Sequence, residues 1–295
     1  MRLGLATPVV LQVPGVASDW ERDADIADIA AIAETADTLG FDYLTCAEHV
    51  AIPASDAAER GGTYWDPLST LSFLAARTTR IRLATSVLVL GYHHPLAIAK
   101  RFGTLDRVSD GRLVLGVGVG SLRAEFDLLD AEFTGRGERA DDALRALRSS
   151  LSRPQVSYHG PYFRYDEMIV RPHARQTHVP IWVGGRTRRS LRRALHLADG
   201  WMPFGLRATE ISRLLGQVDL PDGFEVVLST GRALDPEDDP QGARRVLRRL
   251  HEAGATAITC VLAAQSAEHY RTQLAAVREL ADDLDVEEKP HDDRN

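Results

Sequence analysis

One histidine of this chain stands where proton chemistry is commonly performed. His49 follows Glu48 at the end of residues 41–47 (FDYLTCA), an apolar segment that predicts a β-strand. An imidazole titrates near neutral pH and can therefore donate or accept a proton during a reaction. The same side chain could instead cap the loop that follows the strand. Its position alone leaves both interpretations open.

Alternating glycines form a second candidate site. Gly116, Gly118 and Gly120 lie at the end of a second apolar run, residues 113–119. Alternate residues of a strand lie on the same face, so these glycines would clear one side of the strand end. A flat ligand could use that space, and so could tight packing inside a barrel. Glycine alone favours the packing interpretation.

A third candidate is a phosphate-binding turn. Residues 180–186 (PIWVGGR) predict a short strand that ends in Gly184 and Gly185, followed by Arg186, Thr187 and a helix. A helix N-terminus offers free N–H groups and partial positive charge, which suit a phosphate. Arg186 adds a full charge. The same pattern also occurs as a plain tight turn.

No pattern in the chain is typical of a metal site. His93 and His94 are adjacent and point apart, and no cysteine or carboxylate completes a ligand set at regular spacing. Cys46 and Cys260 are the only cysteines. Each lies in an apolar strand pattern, which predicts buried, reduced thiols rather than a disulfide or a metal pair.

A repeated alternation of strand and helix patterns must position these residues. Strands that are apolar on both faces are typical of parallel sheets covered by helices, and eight of them close a barrel. The predicted fold class is therefore α/β, a (β/α)8 TIM barrel with an insertion around 153–179. The eight candidate strands are residues 3–8, 41–47, 83–90, 113–119, 180–186, 199–203, 225–230 and 257–262.

Length and composition fit a single enzyme domain. The chain has 295 residues, of which 44% are hydrophobic and 26% charged. We predict one barrel domain over residues 1–284 and a charged C-terminal tail over 285–295. The net charge of −7 disfavours nucleic acid and anionic membranes as partners. No apolar run approaches the roughly 18–20 residues of a membrane span, and there is no signal-peptide layout. A cytoplasmic enzyme that acts on a small molecule is the expectation.

The region 81–126 resembles the luciferase-like monooxygenase superfamily, and within it the oxidoreductases that use the deazaflavin cofactor F420. The resemblance rests on LATSVLV, HHP, TLDRVSDGR and GVGVG, followed by Glu125-Phe126, and continues in PIWVGGR and ADGWMP. It implies a TIM barrel and hydride transfer between F420 and an unidentified small organic substrate. It also implies a homodimer formed through the second and third helical units.

The resemblance further implies roles for individual residues. His49 would face the cofactor ring and handle protons, and Glu48 would hydrogen-bond the polar edge of the ring. A non-prolyl cis peptide between Ser86 and Val87 would form a bulge against the ring. The glycine turn would hold the cofactor phosphate. The predicted cofactor-binding residues are Glu48, Ser86, Val87, Gly118, Gly120, Ser121, Gly184, Gly185, Arg186 and Thr187.

Two positions depart from the sugar-phosphate dehydrogenases of this group. There the residue after the last glycine is a proton-donating glutamate, whereas this chain has Ser121. Those enzymes also keep a tryptophan four residues after the position of His49, where Pro53 stands here. A glucose 6-phosphate activity is therefore not predicted.

Two alternative functions stay open. An FMN-dependent monooxygenase of the same superfamily would use the same glycine turn for the FMN phosphate. A non-catalytic flavin- or deazaflavin-binding protein would keep the turn without chemistry at His49. The whole pattern and the arginines after Gly185 favour F420. The substrate pocket is expected to be formed by loops 50–65 and 121–135 and by the insertion.

Overall fold

Eight parallel strands close into a barrel in the computed structural model, which describes residues 1–287. Each strand pairs in parallel with the next, and β1 pairs with β8 to complete the ring. The predicted α/β barrel is confirmed. The strands are β1 Arg2–Ala6, β2 Tyr43–Cys46, β3 Arg82–Thr85, β4 Leu113–Gly118, β5 Ile181–Gly184, β6 Gly200–Met202, β7 Glu225–Leu234 and β8 Ala257–Leu262.

One main helix follows each strand and covers the outside of the barrel. Local signals define several of the helix starts: Asp25 and Asp66 cap α1 and α2, and Pro67 occupies the first turn of α2. The helices are α1 Ile26–Thr38, α2 Pro67–Arg77, α3 Pro95–Val108, α4 Arg136–Ser150, α5 Arg188–Leu197, α6 Ala208–Leu215, α7 Pro240–Glu252 and α8 Ala267–Glu287. Helix α8 therefore includes the first three residues of the predicted tail 285–295, and the rest of that tail lies outside the described residues.

Aromatic side chains fill the barrel towards the amino ends of its strands. Tyr43 and Trp182 pack edge to face with their ring centroids 5.0 Å apart, and both are fully buried. Gly4 lies against Tyr43 so closely that a Cβ would stand 2.1 Å from the ring. This packing closes the barrel interior below the carboxyl ends of the strands, where open space remains.

The third strand is shorter than its apolar run suggested. We expected a continuous strand over residues 83–90, but β3 ends at Thr85 and the Ser86–Val87 peptide bond is cis, as the resemblance implied. Leu88–Val89 then resume parallel pairing with the end of β4. A continuous apolar run indicates that residues are buried. It does not indicate where the hydrogen bonds between neighbouring strands are interrupted.

The insertion forms an antiparallel hairpin. Gln155–His159 pairs with Arg164–Ile169 around the Gly160 turn, within the predicted insertion 153–179. Asp142 of α4 holds the turn, because its carboxylate accepts hydrogen bonds from the N–H groups of Tyr162 and Phe163. The hairpin therefore packs on α4.

Shorter elements lie at the carboxyl end of the barrel. Leu11–Gln12 pairs antiparallel with Thr63–Tyr64. The remaining short helices are Asp19–Arg22, Ala57–Arg60, Leu90–Tyr92 and Arg123–Leu128. Within residues 1–287, no helix has the length and apolar character needed to cross a membrane.

Both thiols lie in strands. Cys46 and Cys260 are free and buried, and burial raises the pKa of each thiol to about 12. The prediction of buried, reduced cysteines is confirmed.

Candidate active site

A cavity of about 320 Å³ opens at the carboxyl end of the barrel. It is lined from the ends of β1, β2, β3, β6, β7 and β8, among others by Thr7, Thr45, Ser86, Met202, Val227 and Thr259. This is the face at which barrel enzymes carry their active sites. The volume lies at the lower end of the roughly 300–1,000 Å³ of small-molecule sites.

The wall of this cavity differs from the one we expected. Its outer side consists of the segment after β1, which contributes Pro8, Val10, Leu11, Val13 and Val16. No residue of loops 50–65 or 121–135, or of the insertion, lines this cavity. Residues 57 and 61–63 line a neighbouring cavity together with residues 12–22. The expectation that the two loops and the insertion form the substrate pocket stays a prediction.

His49 is held by a buried carboxylate. Its Nδ1 lies 2.7 Å from Oε2 of Glu125, and the His49 side chain is 21% exposed while that of Glu125 is inaccessible. The imidazole also packs edge to face on Tyr64, with ring centroids 4.5 Å apart. The ring is therefore fixed from two sides. Nε2 has no hydrogen-bond partner in the part of the chain that the structure describes.

Glu125 joins the loop after β2 to the segment after β3. Its Oε2 also accepts a hydrogen bond from the Tyr92 hydroxyl at 2.7 Å, and its Oε1 accepts from the N–H groups of Val50 and Ala51. Burial and the neighbouring Glu125 carboxylate raise the pKa of Tyr92, so its hydroxyl stays protonated and donates. Sequence reasoning gave Glu125 no role, although its place beside Phe126 in the family pattern was a signal.

Glu48 and His93 form a second internal pair. Oε1 of Glu48 lies 2.7 Å from Nε2 of His93, and Oε2 accepts a hydrogen bond from the N–H of Val89 at 2.6 Å. Glu48 is 8% exposed, so both oxygens already have protein partners in a buried setting. His94 caps α3 instead of joining this pair. The described residues contain no group of three or more ligand side chains placed for a metal ion.

Ser86 and Val87 both line the cavity, on either side of the cis bond. The Val87 side chain fills the space left by two glycines. A Cβ on Gly118 would stand 2.7 Å from one Val87 methyl group, and a Cβ on Gly184 would stand 2.8 Å from the other. These glycines therefore make room for Val87 rather than directly for a ligand.

The end of β4 is also closed by protein packing. Gly120 has a φ of +76°, and a Cβ there would meet Phe126 and Val89. Its carbonyl oxygen accepts a hydrogen bond from Arg136 Nε at 3.0 Å. Gly116, Gly118, Gly120 and the exposed Ser121 do not line the cavity. The packing interpretation of the three glycines is the one that the geometry supports.

The predicted phosphate turn is an open helix N-terminus. Thr187 caps α5, since its side chain accepts from the N–H of Ser190. Gly185 has a φ of +130°, and a Cβ there would stand 2.8 Å from Ser190, so the tight turn requires glycine. The N–H groups of Arg188 and Arg189 have no acceptor within residues 1–287 and remain available for an anion.

Arg186 connects this turn with the cavity. Its guanidinium lies 5.9 Å from the ring centroid of Phe204, and Phe204 lines the cavity mouth. Arg188, Arg189 and Arg192 are exposed on α5. Arg193, by contrast, is buried and bonds Asp141 and the carbonyl oxygen of Gly137. The arginine run thus divides into a solvent-facing group and one structural residue.

These features suit a ligand with a ring and a phosphate. The cavity offers an apolar chamber bounded by Ser86 and Val87, and the turn beside its mouth offers two open N–H groups and Arg186. F420 and FMN both have a ring and a phosphate. The N–H groups and Arg186 of the turn therefore do not distinguish between these two cofactors.

A closed barrel with an apolar cavity at the carboxyl ends of its strands is the architecture in which barrel enzymes place their active sites. The chain belongs to the luciferase-like monooxygenase family, whose model matches residues 1–289. The family resemblance predicted from the sequence is confirmed.

Curated relatives extend over most of the chain. An F420-dependent glucose-6-phosphate dehydrogenase of Nakamurella multipartita is 31% identical over 218 residues, which cover 73% of this chain and 61% of that protein. An uncharacterized protein of Mycobacterium tuberculosis is 28% identical over 210 residues, covering 67% of this chain and 72% of that protein.

Solved structures share the fold at low sequence identity. EDTA monooxygenase from Chelativorans sp. BNC1 superposes with a TM-score of 0.78 at 13% identity, covering 96% of this chain and 94% of that one. The F420-dependent tetrahydromethanopterin reductase of Methanopyrus kandleri has a TM-score of 0.74 at 15% identity, with coverages of 94% and 97%. These likenesses support the fold alone.

Proposed function

We propose that this protein is an F420-dependent oxidoreductase that transfers a hydride between the deazaflavin and a small organic substrate. The observation that carries the proposal is the group of exposed arginines after the phosphate turn, Arg188, Arg189 and Arg192, because it suits the acidic tail that F420 has and FMN lacks. The connection between cavity and turn, where Phe204 lines the cavity mouth and lies against Arg186, supports a cofactor with a ring and a phosphate of either kind. The family and one F420-dependent relative, 31% identical over 218 residues, add support. When bound, F420 supplies the hydride chemistry itself.

The chain's own residues would bind and orient this cofactor. Ser86 and Val87 would form the wall against the ring, with Gly118 and Gly184 supporting Val87 from behind. The N–H groups at the start of α5 and Arg186 would hold the phosphate. The exposed Arg188, Arg189 and Arg192 would face the acidic tail of F420. We propose that Glu48 orients His93 instead of bonding the ring, because both of its oxygens have protein partners.

His49 would move the proton that accompanies hydride transfer. With Nδ1–H donated to Glu125, Nε2 is the nitrogen that can exchange a proton. His49 follows β2 at the same end of the barrel but does not line the cavity, so the substrate oxygen that it serves would extend from the cavity towards Nε2. Glu125 would hold this tautomer and the ring orientation. Ser121 and Pro53 stand where the sugar-phosphate enzymes have their glutamate and tryptophan, so we do not extend the glucose 6-phosphate substrate to this chain. A cytoplasmic location is part of the proposal and agrees with two free thiols.

Cofactor titration tests the proposal directly. Purified protein is titrated with F420 and, separately, with FMN while cofactor fluorescence is followed. We expect saturable F420 binding and weak or absent FMN binding. The reverse preference would favour an FMN-dependent monooxygenase and make oxygen uptake the next assay. Binding of neither would contradict the function of the phosphate turn.

Replacement of His49 separates catalysis from binding alone. We expect His49→Ala to lower turnover by about 10²–10⁴-fold, the usual contribution of a general acid or base. The F420 dissociation constant should change little. His196→Ala, on the exposed face of α5, is the control and should keep wild-type turnover. Unchanged turnover in His49→Ala would remove its catalytic role and favour a cofactor-binding protein.

A further inference from the structure

We infer that the segment 7–21 is the substrate-recognition wall, and that the substrate is an uncharged, mainly apolar molecule whose polar group accepts a hydrogen bond from Thr7 Oγ1. The term substrate rests on the proposed function, in which the cofactor ring lies against Ser86 and Val87 and the substrate would lie between that ring and segment 7–21. The ligand chemistry rests on the cavity alone. The segment supplies the cavity wall after β1 and includes Thr7, Val10, Val13, Val16 and Glu21.

Thr7 carries an unpaired hydroxyl group in the wall of the cavity. It lies at the end of β1 and is 5% exposed, and its Oγ1 is buried without a hydrogen-bond partner in the described part of the chain. Buried polar groups are nearly always paired, so an unpaired one at a cavity wall points to a ligand.

Each of the other hydroxyl groups of the cavity wall has at least one protein partner. Ser86 Oγ lies 3.4 Å from Met202 Sδ, and the Tyr270 hydroxyl lies 3.5 Å from the Ala6 carbonyl oxygen. Thr45 Oγ1 donates to the Leu5 carbonyl oxygen at 3.2 Å. Thr259 Oγ1 and the Tyr43 hydroxyl lie 2.7 Å apart, and Ser229 Oγ accepts from the N–H of Gly231 at 3.1 Å. Thr7 therefore differs from its neighbours and marks where a carbonyl or hydroxyl oxygen of the ligand would lie.

The charge of the wall selects against ionic ligands. Within residues 1–287, no lysine, arginine or histidine lines this cavity. Its one carboxylate, Glu21, is 5% exposed and accepts hydrogen bonds from the N–H groups of Val9 and Ser18, both at 2.7 Å. An anionic ligand would lose hydration here without gaining a counter-charge, and a cation would meet only the Glu21 carboxylate, both of whose oxygens already have partners. A neutral ligand would bury apolar surface against Val10, Leu11 and Val16.

The wall is held in a defined conformation. Val9 has a φ of +72°, and the N–H of Val10 bonds the carbonyl oxygen of Pro8 at 2.8 Å, which makes a γ-turn. A β-branched residue rarely adopts this conformation, and such residues cluster at ligand sites. Glu21 maintains it through the Val9 N–H. The Gln12 side chain donates to the Glu21 carbonyl oxygen at 2.8 Å and ties the middle of the segment to the same anchor.

Binding of two matched probes tests this inference without turnover. Cyclohexanone presents one acceptor on an apolar ring, and cyclohexanecarboxylate adds a charge to the same ring. Ligand-observed NMR would measure both dissociation constants on the protein alone and with F420 present. We expect saturable cyclohexanone binding, with the carboxylate at least about tenfold weaker.

Variants at Thr7 locate the contact. Thr7→Val keeps the shape and removes the hydroxyl, so the cyclohexanone dissociation constant should rise about tenfold. Thr7→Ser should bind like the wild type. Thr272→Val, on the exposed surface of α8, is the control and should have no effect. Circular dichroism would verify folding, and Thr7→Ala replaces the valine variant if that one does not fold.

The outcomes separate this inference from the proposed function. Equal binding of the two probes, or unchanged cyclohexanone binding in Thr7→Val, would overturn the inference even if F420 binds normally. If the wild type does not bind F420 but binds cyclohexanone in a Thr7-dependent way, the proposed function is overturned. The assignment of segment 7–21 as the ligand-recognition wall would then still hold.

Discussion

At the scale of single residues, the candidate site depends most on Glu125. Its buried carboxylate accepts hydrogen bonds from Tyr92 and from two backbone N–H groups, and it pairs with His49. A carboxylate can accept all of these bonds because it presents two acceptor oxygens and no donor. Glu125 is therefore a positioning residue for His49, because its two oxygens hold the imidazole, the Tyr92 hydroxyl and the backbone after β2 at the same time.

Glu125→Gln tests this positioning role. The amide N–H₂ group of glutamine would face the hydrogen-bond donors that the carboxylate now accepts from. We therefore expect turnover to fall by at least about tenfold, approaching the loss of about 10²–10⁴-fold expected for His49→Ala. The F420 dissociation constant and the substrate KM should change less than kcat. Steady-state kinetics and cofactor titration measure the difference.

Tyr92→Phe is the matched comparison for this prediction. It removes one donor and leaves the carboxylate with its remaining partners, so its effect on kcat should be smaller than that of Glu125→Gln. A kcat equal to wild type in Glu125→Gln, with His49→Ala impaired, would show that His49 does not depend on this carboxylate.

At the scale of elements, the interrupted β3 packs against the neighbouring strands through one side chain. Val87 occupies the space above Gly118 of β4 and Gly184 of β5. The ends of three consecutive strands are thereby joined, and the Val87 methyl groups form part of the cavity wall. Small residues on β4 and β5 are required because Val87 projects over them.

Gly118→Ala should overpack this junction. The new methyl group would stand 2.7 Å from Val87 Cγ2, and overpacking of this kind lowers the free energy of unfolding by about 1–3 kcal/mol. The double variant Gly118→Ala/Val87→Ala should recover part of that loss, so the two changes should be non-additive. Urea denaturation measures each free energy.

Gly62→Ala is the control for this cycle, since a Cβ at Gly62 meets no atom within 4 Å. It should leave stability close to wild type. Additive effects of Gly118→Ala and Val87→Ala would show that the two positions do not share the space seen between them.

Asp199 is a second connection between elements, near the start of β6. It accepts hydrogen bonds from Arg148 of α4, from the N–H of Ile181 at 2.7 Å and from His178 at 2.8 Å. Burial acts to raise its pKa, but these three partners together hold the pKa of Asp199 below its usual value. A lowered pKa in the folded state means that the ionised carboxylate stabilises the fold.

Asp199→Asn should therefore destabilise the protein in a pH-dependent way. The stabilisation is present above the unfolded pKa of about 3.9 and is lost as pH falls through the lower folded value. At pH 7 we expect the free energy of unfolding of the variant to be about 1–3 kcal/mol lower than that of the wild type. This difference should become smaller below about pH 4. Denaturation at several pH values measures it. Asp222→Asn, at an exposed position, should show no such difference. A pH-independent loss would contradict the assignment.

At the scale of the whole molecule, barrel closure brings distant parts of the chain to one face. β1 pairs with β8, so the wall formed by segment 7–21 lies beside residues of β7 and β8 in one cavity. The outer surface keeps exposed aromatic and aliphatic groups. Phe73 on α2 is 39% exposed and Val108 on α3 is 64% exposed. Both belong to the helical units for which the resemblance implies subunit contact.

We expect a homodimer formed through α2 and α3. Sedimentation should give twice the mass of the 32.4 kDa chain, and Phe73→Glu should shift the population towards monomer, because a buried carboxylate without a partner opposes association. Leu220→Glu, which changes another exposed apolar residue at 42% exposure, is the control. A monomeric wild type would refute the dimer, and an undisturbed dimer in Phe73→Glu would refute this interface.

Most of the fold could be predicted from local sequence. The bounds of β8 agree with the predicted residues 257–262, since an apolar run reports local burial. The length of β3 could not be predicted, because its interruption at Ser86 and Val87 leaves the apolar run unchanged. The helical state of the last residues of α8 was likewise hidden by their charge.

The sequence by itself determined the strand and helix order, the family and the residue types available at the barrel mouth. Only the tertiary structure decided the partners: His49 with Glu125, 76 positions away, Glu48 with His93, and Val87 with two glycines of other strands. It also decided that segment 7–21 forms the cavity wall. The physical reason is that side chains interact only when they are close in space. Barrel closure brings together residues that are far apart along the chain, and no repeat in the sequence marks which of them will meet.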